Sequence, residues 1–267
     1  MFELGLSSCA KELNEELFKN YRDSGINNME VSLSNVSKQS EVNLKNVKKL
    51  ADKYGIKLWT GHLPFNPFSQ IDISDPETSE YAVSYFSDII KQYADIGVNK
   101  VVIHPSGEPI DEKDRGIRME CAKKSLKKLA EFADSLDTVI AVENLPRTCL
   151  GRDSKDIAEL ISVDERLMVC FDTNHLLKEN PLDFIKALGD KIITLHVSDY
   201  DFIDERHWLP GEGEINWQEM ISALKEVNYD GPWLYEVTFE TPRTIERPRN
   251  LNCEDIVNNA KTVFGNL

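Results

Sequence analysis

The chain has 267 residues and an ordinary hydrophobic content of 41%, enough to bury the core of one large domain. A formal charge of −15 disfavours a nucleic-acid partner, because that affinity comes mostly from Lys and Arg neutralising phosphates. Five scattered cysteines without a C-x-x-C pair, no apolar run of membrane-crossing length and no basic N-terminal lead predict a cytoplasmic protein with reduced thiols and no membrane partner.

The first strand is predicted over 2–8, followed by an amphipathic helix through Leu13, Leu17, Phe18 and Tyr21 that stops near Gly25. A second strand over 28–33 alternates Met29, Val31 and Leu33 with Glu30 and Ser32, and a helix over 41–54 stops at Gly55. The third strand, 57–62, ends in His62 and runs into a proline-rich Leu-Pro-Phe-Asn-Pro-Phe that cannot continue it. A helix over 77–96 follows, with Asp75-Pro76 as its cap and first turn. The fourth strand, 100–104, is cut by Pro105, and the helix over 115–135 spreads its lysines over a solvated face. The same alternation continues with strands at 138–143, 167–172, 191–198 and 232–237. The helices between and after them are predicted at 154–161, 181–188, 216–227 and 254–264. Along the seventh strand, Ile193, Leu195 and Val197 share one face while Thr194, His196 and Ser198 share the other.

Strict β/α alternation without an interrupting linker predicts a parallel sheet. Eight such units in this length predict a single-domain (β/α)8 TIM barrel over residues 1–267. An open doubly wound sheet is the runner-up, and no G-x-G-x-x-G follows the first strand to support a dinucleotide site.

Glu30, His62, His104, Glu143, Asp172, His196 and Glu236 all fall at or within a residue of a predicted strand's C-terminal end. In a barrel that rim carries the active site. All five histidines, His62, His104, His175, His196 and His207, lie at strand ends or in the loops just after them. Each residue alone has a bland reading: an inward His as a hydrogen-bonded core residue, a strand-end Glu as a cap, Asp172-x-x-His175 as an Asx-type turn. Gathered on one rim, Glu143, Asp172 and Glu236 would repel one another. A divalent cation resolves that repulsion, with His196 as fourth ligand, and manganese, zinc, cobalt and magnesium all suit such a donor set.

The ordered set Glu143, Asp172-Thr-Asn-His175, His196-Val-Ser-Asp and Glu236 resembles the sugar (phosphate) isomerase/epimerase branch of the xylose-isomerase-like TIM barrels, over nearly the whole chain. The resemblance implies that Glu143, Asp172, His196 and Glu236 hold one divalent metal and that the two glutamates are also the catalytic acid and base. The same superfamily contains the type-four apurinic-site endonucleases, which bind three zinc ions. His62-Leu-Pro-Phe-Asn, Val-Val-Ile-His104-Pro and Glu205-Arg-His207 resemble their extra ligands, with Glu205 standing where those enzymes carry aspartate. The resemblance thus implies that His62, His104, His175, Glu205 and His207 are substrate-binding or second-metal residues.

The expected substrate is a small carbohydrate, isomerised or epimerised by proton transfer next to a polarised carbonyl. Arg147, Arg152 and Arg206 are read either as phosphate clamps or as solvated loop residues. Gly211-Glu-Gly213 reads as a turn rather than a phosphate cradle. Two alternatives stay open: a multinuclear zinc hydrolase of phosphodiesters and a barrel that only binds sugar. The acidic loop through Asp199, Asp201, Asp204 and Glu205 would repel a phosphate backbone, which weighs against nucleic acid. An oligomer is compatible with the sequence, which does not choose the sugar or the metal.

Overall fold

A computed structural model of the chain describes residues 3–33, 43–65 and 71–265. Its strands are β1 (Leu4–Ser7), β2 (Asn28–Ser32), β3 (Lys57–His62), β4 (Lys100–Ile103), β5 (Val139–Glu143), β6 (Met168–Asp172), β7 (Ile192–His196) and β8 (Trp233–Tyr235). They form one eight-stranded sheet in the order β7-β6-β5-β4-β3-β2-β1-β8, with parallel pairing throughout. The ends of that order meet where the Val197 amide donates to Leu234 O at 2.8 Å and the Glu236 amide donates to Val197 O at 3.1 Å. The expected TIM barrel is the observed one.

The helices are α1 (Glu15–Ser24), α2 (Leu44–Tyr54), α3 (Ser79–Asp95), α4 (Arg115–Asp134), α5 (Ser154–Ile161), α6 (Pro181–Leu188), α7 (Trp217–Glu226) and α8 (Cys253–Val263). Strand alternation divides the side chains into two layers. Met29, Val31, Val101, Ile103, Val142, Phe171, Leu195 and Trp233 face outward and share the main core with Phe18, Phe86, Leu126, Phe184 and Leu224 of the helices. Each such residue gains about 1.5–3 kcal/mol from full burial, so this layer holds strands and helices in register. Inside the barrel, Val102, Ala141 and Cys170 form a separate small cluster, and Ile193 packs against it rather than sharing the outward face of Leu195 as strict alternation predicted, because the β6–β7 register shifts after the Val169–Ile192 pair. Above it the inward positions turn polar.

Element limits differ from expectation by a residue or two. α3 begins at Ser79 after Thr78, which makes no side-chain cap bond, while Asp75 accepts the Glu77 amide at 2.8 Å in a turn that precedes the helix. β7 stops at His196, because Ser198 turns away to bond Thr173 Oγ1 at 3.1 Å. β8 is shorter than predicted, which leaves Glu236 one residue beyond it. The predicted starts at Phe2 and Glu41, and Asn66 to Phe68 of the proline-rich stretch, lie outside the described residues.

Candidate metal centre

Four donors converge over the barrel's inner cluster. Glu143 ends β5, Asp172 ends β6, His196 ends β7 and Glu236 follows β8. One ligand atom from each lies within 4.8 Å of the other three. His196 Nδ1 is the hub, 2.9 Å from Glu236 Oε2, 3.1 Å from Glu143 Oε1 and 3.7 Å from Asp172 Oδ2. Two further groups adjoin it with the same spread of ligand atoms: His62, His104 and Glu143 on one side, His175, Glu205 and His207 on the other. His62 Nε2 and His104 Nε2 stand 3.0 and 3.1 Å from Glu143 Oε2, and His175 Nε2 stands 3.6 Å from Glu205 Oε2.

Hydrogen bonding on the far side of each ring fixes which nitrogen faces the cluster. A carbonyl oxygen can only accept, so the Nδ1–H of His62 is donated to Leu63 O at 2.7 Å, that of His175 to Asn144 O at 2.9 Å and that of His207 to Glu236 O at 3.2 Å. Their Nε2 atoms are left facing the site. His196 is turned the other way round: its Nε2 meets Glu30 Oε2 at 3.0 Å, which leaves Nδ1 facing the three carboxylates. Glu30 is itself fixed by Ser7 Oγ and Thr60 Oγ1, each donating at 2.9 Å. An imidazole held through one nitrogen by a carboxylate or carbonyl is the arrangement that presents a basic, oriented ligand to a metal.

The backbone around these groups is clasped by side chains where the ladder ends. Asn144 Nδ2 donates to Asp172 O at 2.9 Å and Asn144 Oδ1 accepts the Asp172 amide at 2.8 Å, tying the β5 and β6 tips together. Asn174 Oδ1 accepts the amides of Arg206 and His207 at 2.7 and 3.2 Å, which brings Glu205 and His207 over His175. Asp199 organises the rest of that loop by accepting from Tyr200 N, Gly211 N, Ile215 N and Trp217 Nε1, all between 2.7 and 3.1 Å. The Gly211–Gly213 segment is thus wrapped around the protein's own carboxylate, as a turn. A Cβ at Gly213 would stand 2.3 Å from Tyr200 O, so only glycine fits.

The electrostatics are those of a crowded charged site. Burial alone would raise the Glu143 carboxyl, but the imidazoles of His196 and His104 outweigh it and hold it well below the usual carboxylate range. Glu236 is likewise lowered, against its burial, by His196. Burial drives Asp172 well above its ordinary value, and the neighbouring Glu143 adds to the rise. Burial opposes charge on His62 as well, yet the hydrogen bond to Glu143 lifts it to about 9. Asp172 Oδ2 is buried and accepts no hydrogen bond. A buried carboxylate oxygen left without a donor, among three other inward ligand atoms, fits a divalent cation.

A cavity of about 800 Å³ opens over the cluster, with His104, Glu143, His175 and Glu236 in its floor and Phe65, Ile71 and Phe239 in its walls. That is within the roughly 300–1,000 Å³ typical of small-molecule sites. The arginines read as phosphate clamps all have carboxylate partners. Arg147 bonds Glu108 at 3.1 Å and Asp204 at 2.8 Å, Arg152 bonds Glu112 at 2.7 Å, and Arg206 bonds Asp201 at 3.0 Å. Of the three, Arg147 lines the cavity. Glu30 stood among the strand-end residues in sequence without a role, and its service to His196 is visible only once β2 and β7 face each other across the barrel.

A family model described as xylose isomerase-like TIM barrel matches residues 18–253. The chain belongs to that family. Within it, the chain is 27% identical to D-psicose 3-epimerase of Enterocloster bolteae over 204 residues, covering 71% of this chain and 64% of the relative. It is 24% identical to a probable endonuclease 4 of Aster yellows witches'-broom phytoplasma (strain AYWB), covering 70% of each. Among solved structures, a D-tagatose 3-epimerase-like protein superposes with a TM-score of 0.82 at 23% identity, covering 98% of this chain and 96% of that one. The last likeness speaks to the fold, and both kinds of chemistry read from the sequence occur among the names of this barrel's relatives. Among the described residues, no helix is long and apolar enough to cross a membrane.

Proposed function

We propose that the protein is a divalent-metal-dependent isomerase or epimerase of a small sugar or sugar phosphate. The observation that carries the reading is the pairing of Glu143, which is buried, and Glu236, which is partly exposed, both within 3.1 Å of one imidazole nitrogen in the floor of a cavity of small-molecule size. Glu143, Asp172, His196 and Glu236 would hold the ion, which when bound polarises a substrate carbonyl and its neighbouring hydroxyl and makes the adjacent C–H acidic.

The remaining work belongs to the chain. The imidazoles beside them hold Glu143 and Glu236 below the usual carboxylate range, and either is placed to take a proton from that carbon. Return by the opposite carboxylate gives an epimer, and return by the same carboxylate to the neighbouring carbon interconverts aldose and ketose. His175, with Nδ1 committed to Asn144 O, offers Nε2 to a substrate hydroxyl. The names of an epimerase relative and of an epimerase-like structure support this class.

A second reading has its own support. The His62–His104–Glu143 and His175–Glu205–His207 groups could hold further ions, as a multinuclear hydrolase of phosphodiesters would require, and a probable endonuclease 4 is among the relatives. The test is a panel of ketoses and ketose phosphates beside an abasic-site duplex, each with manganese, zinc, cobalt or magnesium. Interconversion of a ketose with duplex left intact is the expected result. Cleavage of the duplex with every sugar unchanged would replace the isomerase by the hydrolase.

A further inference from the structure

Sequence reading assigned no role to the loop after β1, yet it brings a lysine to the site. β1 pairs with β8, so the chain leaving Ser7 emerges beside Glu236. Lys11 and Glu236 line the same cavity, and Lys11 lies within electrostatic reach of Glu236 and Glu240. Arg118 and Arg147 also line it, and both are already committed to carboxylates. Arg118 donates to Ser74 Oγ at 2.9 Å and to Asp75 at 3.1 Å, and Arg147 bonds Glu108 and Asp204.

Lys11 differs from both. Its Nζ makes two long contacts to backbone oxygens, Ser7 O at 3.3 Å and Cys9 O at 3.4 Å, and stands 4.4 Å from the Phe239 ring centroid. Among the described residues no carboxylate comes within ion-pair distance of it. An ammonium carries three donors, and a half-buried one with no carboxylate at ion-pair distance gains from an arriving anion. Phe239 holds the ammonium by cation–π attraction without neutralising it.

We propose that Lys11 receives a terminal anionic group, phosphate or carboxylate, on the carbohydrate whose reacting carbons lie at the metal cluster. The preferred substrate is then a sugar phosphate or a sugar acid rather than a neutral sugar. This rests on the isomerase reading above and narrows it. A lysine acts here as a point charge, so it accepts either anion, and the size of the group decides between them.

Calorimetry on the manganese-loaded full chain, with D-fructose, D-fructose 6-phosphate and D-fructuronate as probes, tests this. The wild type is expected to bind one of the two charged ketoses roughly tenfold tighter than D-fructose, as a charge-assisted hydrogen bond provides. The tighter of the two identifies the anion. In Lys11→Met and Lys11→Gln that ratio falls to about one, and Lys11→Arg restores most of it. Equal binding of all three ketoses by the wild type, or a ratio that survives in both neutral variants, overturns the inference and leaves the isomerase reading standing. Binding of none of the three overturns the inference and leaves the isomerase reading to the wider ketose panel above.

Discussion

At the scale of single residues, the site is a problem in directing lone pairs. Imidazole has two nitrogens, and a ligand histidine must have one of them occupied elsewhere. His62, His175 and His207 solve this with backbone carbonyls, whereas His196 uses Glu30. Glu30 is therefore expected to matter for the metal without touching it. Glu30→Gln keeps the shape but weakens the acceptor facing His196 Nε2, and metal affinity should fall roughly 10- to 100-fold, as loss of such a partner does elsewhere. Metal titration by calorimetry, with circular dichroism to check the fold, reads this, and wild-type affinity in the variant would show that Glu30 is only a core hydrogen-bond partner. The residue types that the fold gathers at the cluster were legible in the sequence because Glu, Asp and His stood at strand ends in a fixed order. The tautomers were not, since they depend on residues such as Asn144 and Glu30 that meet the rings only in three dimensions. Lys11 gave no sequence signal, being one lysine among many.

At the scale of elements, the strands place the clustered side chains and side-chain clasps finish the work where the ladders run out. Tyr93 of α3 shows how a helix fixes strand ends: its hydroxyl lies 2.8 Å from Val31 O and 2.9 Å from His62 O and shares its one proton between them, at the tips of β2 and β3. Gly61 makes room for it, because a Cβ there would stand 2.7 Å from the ring. The backbone at Gly61 is not in the left-handed region, so the constraint is space alone. Gly61→Ala must push the ring away, at about 1–3 kcal/mol for an overpacked core. The variant should unfold at a lower temperature and also bind metal more weakly, because His62 moves with the strand. An unchanged melting temperature would mean that α3 is free to shift. Strand and helix identities were readable from alternation and helical periodicity. Their limits were displaced by local chemistry, as at Asp75, where an Asx-type turn delays α3, and at Ser198, where a bond to Thr173 ends β7 early.

At the scale of the whole molecule, eight parallel units with short strands put seven polar strand-end positions on one rim and leave the apolar work to the outer layer. The formal charge of −15 is consistent with that arrangement, since the rim is rich in carboxylates and two cavity-lining cations, Arg118 and Arg147, are held by carboxylates of the protein itself. A duplex would have to approach the acidic loop around Asp201, Asp204 and Glu205, whereas a small polyol needs only the cavity floor. The central claim is that Glu143 and Glu236 move a proton at carbon beside a carbonyl. It is tested most directly by incubating the manganese-loaded protein with a ketose or ketose phosphate in deuterated water and following the substrate by NMR. Metal-dependent incorporation of deuterium at the carbon next to the carbonyl, abolished in Glu143→Gln and Glu236→Gln, is the predicted result; product formed with no solvent deuterium, or exchange that survives in both variants, would contradict it.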